Sequence, residues 1–517
     1  MEDALDNSLQ VNVEKENKPQ IGKEKVKTWL KDPYNILLIG ILLFAFIVRV
    51  YYFSLTLDQP FWWDEAAYGS MAKNYITHIW DSSEVIIGET LIRPPLFPVI
   101  WSLLMRIGFE EAFNRFFLLL IPSILSVFFV YLIGKELYGK RNGLLSAFIF
   151  SVMWVHLFYT SRMLTHILSL AFLFGGIFFF IKSTKEEFNY KYFAISLGLA
   201  GIVALIRYPD GLVYLVFLLF LLLTKKVKLA KDSKAWLAAL AGLIPLIIFF
   251  LYNYLTKGNI FPALLGSDYV QAVSKGFAWN LLGYIQSYYL GTLLSLTFLV
   301  GLIVSLLQLG LSFGFISKNN RLKGHLLHLL FLAVFFSFFI FYIKGAEDRW
   351  LFPLSLAFAS FSALGVEYIA DILNKYQKQA GVVLILAVLL VGAYSGLTLA
   401  DKNIRNARDT FLQAKMGFEW IDQNTEKDSV IISSGLETYA IYYANRQNVG
   451  FPKNSSDLDT IDADYLVYHA YKPEAHPDFL SEYLQSNQDT WIPFQAIFAD
   501  EEKKQAVFVI YKKQNKS

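Results

Sequence analysis

A chain of 517 residues that is 55% hydrophobic and 17% aromatic but only 17% charged lacks the polar surface water demands of a soluble protein, which carries charge on about a quarter of its residues. Its mean hydropathy of +0.42 puts it in a membrane. The absence of cysteine excludes disulfides, thiolate metal sites and thiol nucleophiles, and a net charge of only +3, spread along the chain, leaves no footprint for nucleic acid.

Residues 1–34 read as a polar, lysine-rich cytosolic tail without the apolar core of a signal peptide. About eleven apolar segments follow, near the ~20 residues a bilayer demands of a helix. They lie at 35–55, 113–134, 142–158, 163–181, 191–206, 210–224, 236–255, 289–316, 325–343, 350–372 and 380–399. With the N-terminus inside, the short inner loops hold 16 Lys and Arg residues and the outer connections nine, although the first outer loop, 56–112, is the longest. Basic loops resist translocation, so the expected topology is N-terminus in, C-terminus out. Residues 35–400 form the expected membrane domain.

After Ala400 the composition changes. Residues 401–517 hold 18 acidic and 13 basic side chains, the charge density of a soluble domain. Helical periodicity at 407–423 precedes strand-like runs at Val430–Ser433, Tyr465–His469, Trp491–Phe498 and Ala506–Tyr511, which predicts a small extracytoplasmic α/β domain. Asn454-Ser455-Ser456 is a short glycosylation sequon on that side.

The first outer loop carries Phe61-Trp62-Trp63-Asp64-Glu65-Ala66-Ala67-Tyr68, then Arg93-Pro94-Pro95. Aromatic rings favour the headgroup layer, which puts Asp64 and Glu65 at the membrane surface. A carboxylate there serves as a general base or binds a hard cation; the bland alternative is that Asp64 only caps the following helix. Arg162, Arg207, Lys344 and Arg349 sit at the outer ends of four apolar segments. Such a ring suits a lipid-linked phosphate, because guanidinium forks match phosphate oxygens. Its bland alternative is headgroup anchoring and pairing with Asp210, Glu347 or Asp348.

Asp64-Glu65-Ala66-Ala67-Tyr68 with Ala72-Lys73, Arg93-Pro94-Pro95-Leu96, Gly134-Lys135-Glu136-Leu137-Tyr138-Gly139-Lys140-Arg141 and Arg349-Trp350-Leu351-Phe352-Pro353 together resemble the GT-C glycosyltransferases. The resemblance is to the dolichyl-phosphate-mannose protein mannosyltransferase and aminoarabinose-lipid A transferase group. It implies a GT-C membrane fold and a polyprenyl-phosphate sugar donor. It also implies an active site facing outward and inverting transfer to a hydroxyl of a protein, lipid or glycan. Asp64 then becomes the expected base with Glu65 as its partner, and Arg93 and Arg349 the expected donor-phosphate ligands, with Arg162, Arg207 and Lys344 as further cations.

Two departures bear on metal dependence. Ile92 stands where some members have an acidic residue implicated in metal binding, and His166 stands where some have an acidic residue at the start of the fourth membrane helix. A divalent metal is therefore an open expectation, and His166 and Tyr68 are further candidate site residues. The rival functions are a flippase or transporter for lipid-linked saccharides, expected to show midplane charges and repeat symmetry, and a polysaccharide ligase.

Overall fold

The computed structural model describes residues 28–77, 93–185, 187–224, 226–258, 260, 276–499, 502 and 504–514. Most of the N-terminal tail expected in the cytosol, Ile92 and two of the counted loop lysines, Lys225 and Lys275, lie outside the described residues.

Each expected apolar segment is helical. Eight helices among the described residues are long and apolar enough to cross a membrane, and one bent pair is so when its two helices are taken together. Tyr190–Ile206 and Tyr208–Leu223 are shorter apolar helices that complete the set. In chain order the elements that position the site are α1 (Pro33–Leu55), α2 (Trp63–Thr77), α3 (Leu96–Arg106), α4 (Ile121–Tyr138), α5 (Lys140–Ser151), α6 (Trp154–Thr160) and α7 (Thr165–Ser183). Helix α3 lies within the first outer loop, where the sequence offered only a helical stretch after Asp64.

Local chemistry explains the helix ends. Asp32 accepts the Tyr34 amide and Pro33 follows it at the first helical position, where a missing N–H costs nothing. Pro122 cannot donate within α4, and the turn before it, Phe116–Leu120, widens to a π-helical turn. Between α4 and α5, Gly139 takes φ +106°, and a Cβ on Gly134 would meet the Gly143 Cα at 2.8 Å. The glycines of the 134–143 motif thus allow two backbones to touch.

The segment expected as one span at 142–158 is instead two helices, α5 and α6, bent by 59° at Val152–Met153. Arg49 of α1 sits at this break, wholly buried. Its Nη1 donates to the Ser151 carbonyl at 3.2 Å and its Nε to Ser123 Oγ at 2.6 Å. A cation at a helix C-terminus meets the negative end of the helix dipole, which stabilises a charge the bilayer otherwise rejects.

Helices α8 (Gly291–Ser312) and α9 (Ser355–Tyr376) pack backbone to backbone. A Cβ on Gly301 would lie 1.9 Å from the Phe361 carbonyl oxygen, and one on Gly365 1.9 Å from that of Thr297. Small residues permit such approaches between membrane helices, where dispersion rather than the hydrophobic effect holds neighbours together. The long α10 (Ala380–Ala407) then leads out of the membrane domain.

Beyond it, α11 (Leu412–Asn424) and α12 (Glu437–Tyr443) pack with a five-stranded sheet of order β2-β1-β3-β5-β4. The strands are β1 (Val430–Ile432), β2 (Gln447–Val449), β3 (Tyr465–His469), β4 (Trp491–Phe498) and β5 (Ala506–Lys513). β1 runs parallel to β2 and β3, while β5 lies antiparallel between β3 and β4. Ile431, Phe418 and Phe508 join one apolar core that continues through Tyr439 and Phe61 into the membrane helices, and Ile432, Leu466 and Trp491 form a separate core on the other side of the sheet.

Candidate active site

The stretch before Asp64 has no regular structure, and side chains satisfy its backbone instead. Arg115 donates to the carbonyls of Thr56 at 3.2 Å and Gln59 at 3.0 Å, and Arg162 to that of Pro60 at 3.2 Å. The Phe61 N–H donates to Tyr443 Oη at 2.8 Å, while the Tyr439 hydroxyl donates to the Phe61 carbonyl at 2.9 Å. The Trp62 N–H donates to Glu65 Oε2 at 2.6 Å. Buried backbone groups need such partners, and here they fix the path of the chain into α2.

Asp64 and Glu65 are adjacent yet point into different surroundings. Glu65 is fully enclosed: it takes the Trp62 amide, the Met163 amide and the Arg162 guanidinium, with Arg162 Nη1 3.4 Å from Oε2. Reaching back three residues to an amide is what the acidic member of a capping box does. Capping of α2 is therefore the work of Glu65, and the expectation that Asp64 is the cap is corrected. The Glu65 side chain is 0% exposed and paired with Arg162, so its surroundings suit the expected partner of Asp64 that orients the neighbouring base through the start of α2.

Asp64 stands between two guanidiniums. Arg93 Nη2 lies 3.0 Å from Oδ1 and Arg349 Nη1 2.8 Å from Oδ2, with the three side chains 28%, 18% and 21% exposed. Burial alone would raise the carboxyl above its ordinary range, but the charges and hydrogen bonds of Arg349 and Arg93 outweigh it and hold Asp64 lowered. The Arg93 guanidinium rests over the Tyr68 ring, 5.1 Å from its centroid. Arg349 also donates through Nε to Glu347 at 2.6 Å, and its backbone amide donates to Asp348 Oδ1 at 2.8 Å. Asp348 is held in turn by the Tyr159 hydroxyl at 2.9 Å on its carboxylate and by the Tyr289 hydroxyl at 2.7 Å on its carbonyl.

Each of the other expected cations has partners besides the Asp64 trio. Arg162 is 1% exposed, and its guanidinium reaches Glu65, the Pro60 carbonyl and, at 2.6 Å, the Ala407 carbonyl. Arg207 pairs with buried Asp210, whose other oxygen accepts Ser169 Oγ at 2.6 Å; this is the bland pairing alternative. Lys344 takes a left-handed backbone, φ 58°, and its Nζ lies 5.9 Å from the centre of the Phe277 ring. His166 is buried against Tyr159 and Phe352, with ring centroids 5.9 and 5.5 Å away, and its Nδ1 makes no hydrogen bond among the described residues.

Among the described residues no three His, Asp or Glu side chains gather, and both Asp64 oxygens face guanidiniums. These residues do not fit a divalent cation. Glu347 and Asp348 hold Arg349 as the pairing alternative has it; the residues that the sequence did not single out are Tyr159, Tyr439 and Tyr443, and the only signal was the tyrosine-rich run 439–443.

Residues 92–252 match the sequence model of the dolichyl-phosphate-mannose-protein mannosyltransferase family. No curated protein sequence matches the chain significantly. The structure is similar to that of ArnT from Cupriavidus metallidurans bound to undecaprenyl phosphate, with TM-score 0.65 and 11% identity over 92% of this chain and 97% of that one. It is also similar to the oligosaccharyltransferase AglB from Archaeoglobus fulgidus in complex with an inhibitory peptide and a dolichol-phosphate, with TM-score 0.58 and 14% identity over 83% of this chain and 69% of that one. The chain has the GT-C fold of polytopic membrane enzymes with a small C-terminal sheet domain, as the sequence resemblance implied. It is an integral membrane protein.

Proposed function

We propose that this protein is a membrane glycosyltransferase that moves a monosaccharide from a polyprenyl-phosphate carrier to an acceptor hydroxyl, with Asp64, Arg93 and Arg349 as its active centre. The observation that carries the reading is the partly exposed Asp64 carboxylate held between two guanidiniums. The family match and the carriers bound by the two solved relatives support the donor class. The excess of basic residues in the alternate loops supports an extracytoplasmic site and C-terminal domain.

The acceptor oxygen attacks the anomeric carbon on the face opposite the phosphate. The C1–O bond to phosphate breaks, its electron pair leaves with the phosphate oxygen, and the acceptor proton passes to Asp64. The products are the inverted glycoside and the polyprenyl phosphate. Arg349 keeps its Nη2 uncommitted among the described residues, so it can meet a phosphate oxygen without first releasing Glu347. Charge that develops on the leaving phosphate draws both guanidiniums toward it, and Asp64 gains basicity as they withdraw.

The test is purified protein given synthetic polyprenyl-phosphate monosaccharides, with mass spectra of cell-surface glycans and glycolipids from cells with and without it. Transfer and a missing sugar on protein or lipid support the reading. Carrier-linked saccharide that crosses the bilayer without transfer would favour the flippase.

A further inference from the structure

Helix α12 of the C-terminal sheet domain touches α2 through backbone groups, not only through apolar surface. Tyr439 and Tyr443 hold the carbonyl and the amide of the same residue, Phe61, three positions before Asp64. The Phe61 ring is wholly buried, and its centroid lies 4.9 Å from that of Tyr442, 6.0 Å from Tyr443 and 5.7 Å from Trp101. Further along α2, Ser70 donates to the Thr438 carbonyl at 3.2 Å, and Lys73 donates to the Tyr442 carbonyl and to Asn445 at 2.9 Å. A Cβ on Gly69 would fall 2.5 Å from the Tyr442 ring, so the two helices are in close contact.

We infer that Tyr439 and Tyr443 are positioning residues for Asp64, and that the C-terminal domain thereby acts as a working part of the active site. This rests on the transferase reading above. Phe61 precedes the helix and has no helical hydrogen bonds of its own, so the direction in which α2 starts depends on the groups that grip it. Arg115 and Arg162 fix Thr56, Gln59 and Pro60 from the membrane domain; the two tyrosines fix Phe61, and Glu65 takes the Trp62 amide that follows. With both hydroxyls removed, Asp64 loses its register against Arg349, which is anchored separately by Glu347 and Asp348. A displacement of about 1 Å at a reacting group costs up to roughly a hundredfold in rate.

The experiment uses the full-length double variant Tyr439→Phe/Tyr443→Phe, which keeps both rings. Tyr483→Phe is the control, since its hydroxyl bonds Asp459 within the same domain and borders the separate core. The expected result is a kcat lower by about ten- to a hundredfold, a donor KM within about twofold, and an acid limb of the rate profile moved to higher pH as Asp64 loosens from its arginines. Amide exchange in the 56–64 peptide should also accelerate in the double variant and not in Tyr483→Phe. Unchanged exchange at 56–64, or faster exchange with unaltered kcat and acid limb, overturns the inference. Should the double variant fail to fold, each single variant is read by the same criteria. A wild-type protein that turns over no donor sinks the transferase reading, while exchange at 56–64 still decides whether the tyrosines hold the chain.

Discussion

Arg349 reaches Asp64 with one arm of its fork and Glu347 with another, Nη1 at 2.8 Å and Nε at 2.6 Å. One guanidinium therefore ties the first outer loop to the chain that enters α9. Lysine has one ammonium and cannot reproduce that planar geometry. Arg349→Lys is expected to raise the donor KM about tenfold or more, and Arg349→Ala to raise it further. Titration with a polyprenyl-phosphate donor checks this, and unchanged KM and kcat in Arg349→Ala would remove the phosphate role.

Glu65 and Arg162 call for the opposite signature. The pair is 0% and 1% exposed, and removal of one partner leaves a buried charge uncompensated, at about 3–5 kcal/mol. Glu65→Gln should lower the unfolding temperature in detergent markedly. Where the variant survives, its donor KM should stay near wild type. A stable, folded and inactive Glu65→Gln would return Glu65 to the reaction itself.

The pH dependence has a definite sign. Arg349 and Arg93 hold the Asp64 carboxyl lowered against the opposing effect of burial. The favourable interaction is thus fully present above the unfolded carboxyl value and is lost as pH falls through the lowered folded value. The acid limb of kcat/KM is expected below the ordinary aspartate range, and Arg93→Gln should move it upward. An acid limb that Arg93→Gln leaves in place would show that Asp64 is not the titrating group.

The membrane helices were legible because twenty or so apolar residues have few other uses. The bend at Val152–Met153 was not, since neither proline nor glycine marks it; the partner that takes the freed Ser151 carbonyl, Arg49, comes from another helix. Asp64, Arg93 and Arg349 could be picked out by motif. The division of labour within Asp64-Glu65 could not, because neighbours on a helix point about 100° apart and only the packing decides which side is core. Tyr439 and Tyr443 bond Phe61 across 378 and 382 residues, a relationship no local pattern carries.

Gly301 and Gly365 test the membrane packing by itself. A methyl at either position collides with a carbonyl oxygen at 1.9 Å, so Gly301→Ala should force α8 and α9 apart. Thermal unfolding in detergent is expected to fall by several degrees with the donor KM little changed. An unaltered transition would mean that the two helices pack less closely.

The proposed orientation rests on the basic loops and is checked with a reporter fused after Lys513. A reporter active only in the cytoplasm should stay silent. Clear activity would invert the topology and put the Asp64 centre on the cytoplasmic side.

Asp64→Asn tests the central claim most directly, because the amide is nearly isosteric and the helix cap belongs to Glu65. Purified, folded variant and wild type are compared for transfer from the same polyprenyl-phosphate sugar and for binding of polyprenyl phosphate. Loss of the proton acceptor predicts turnover lower by about 10²–10⁴ with carrier binding retained. Turnover near that of the wild type would contradict the account and remove Asp64 from the reaction.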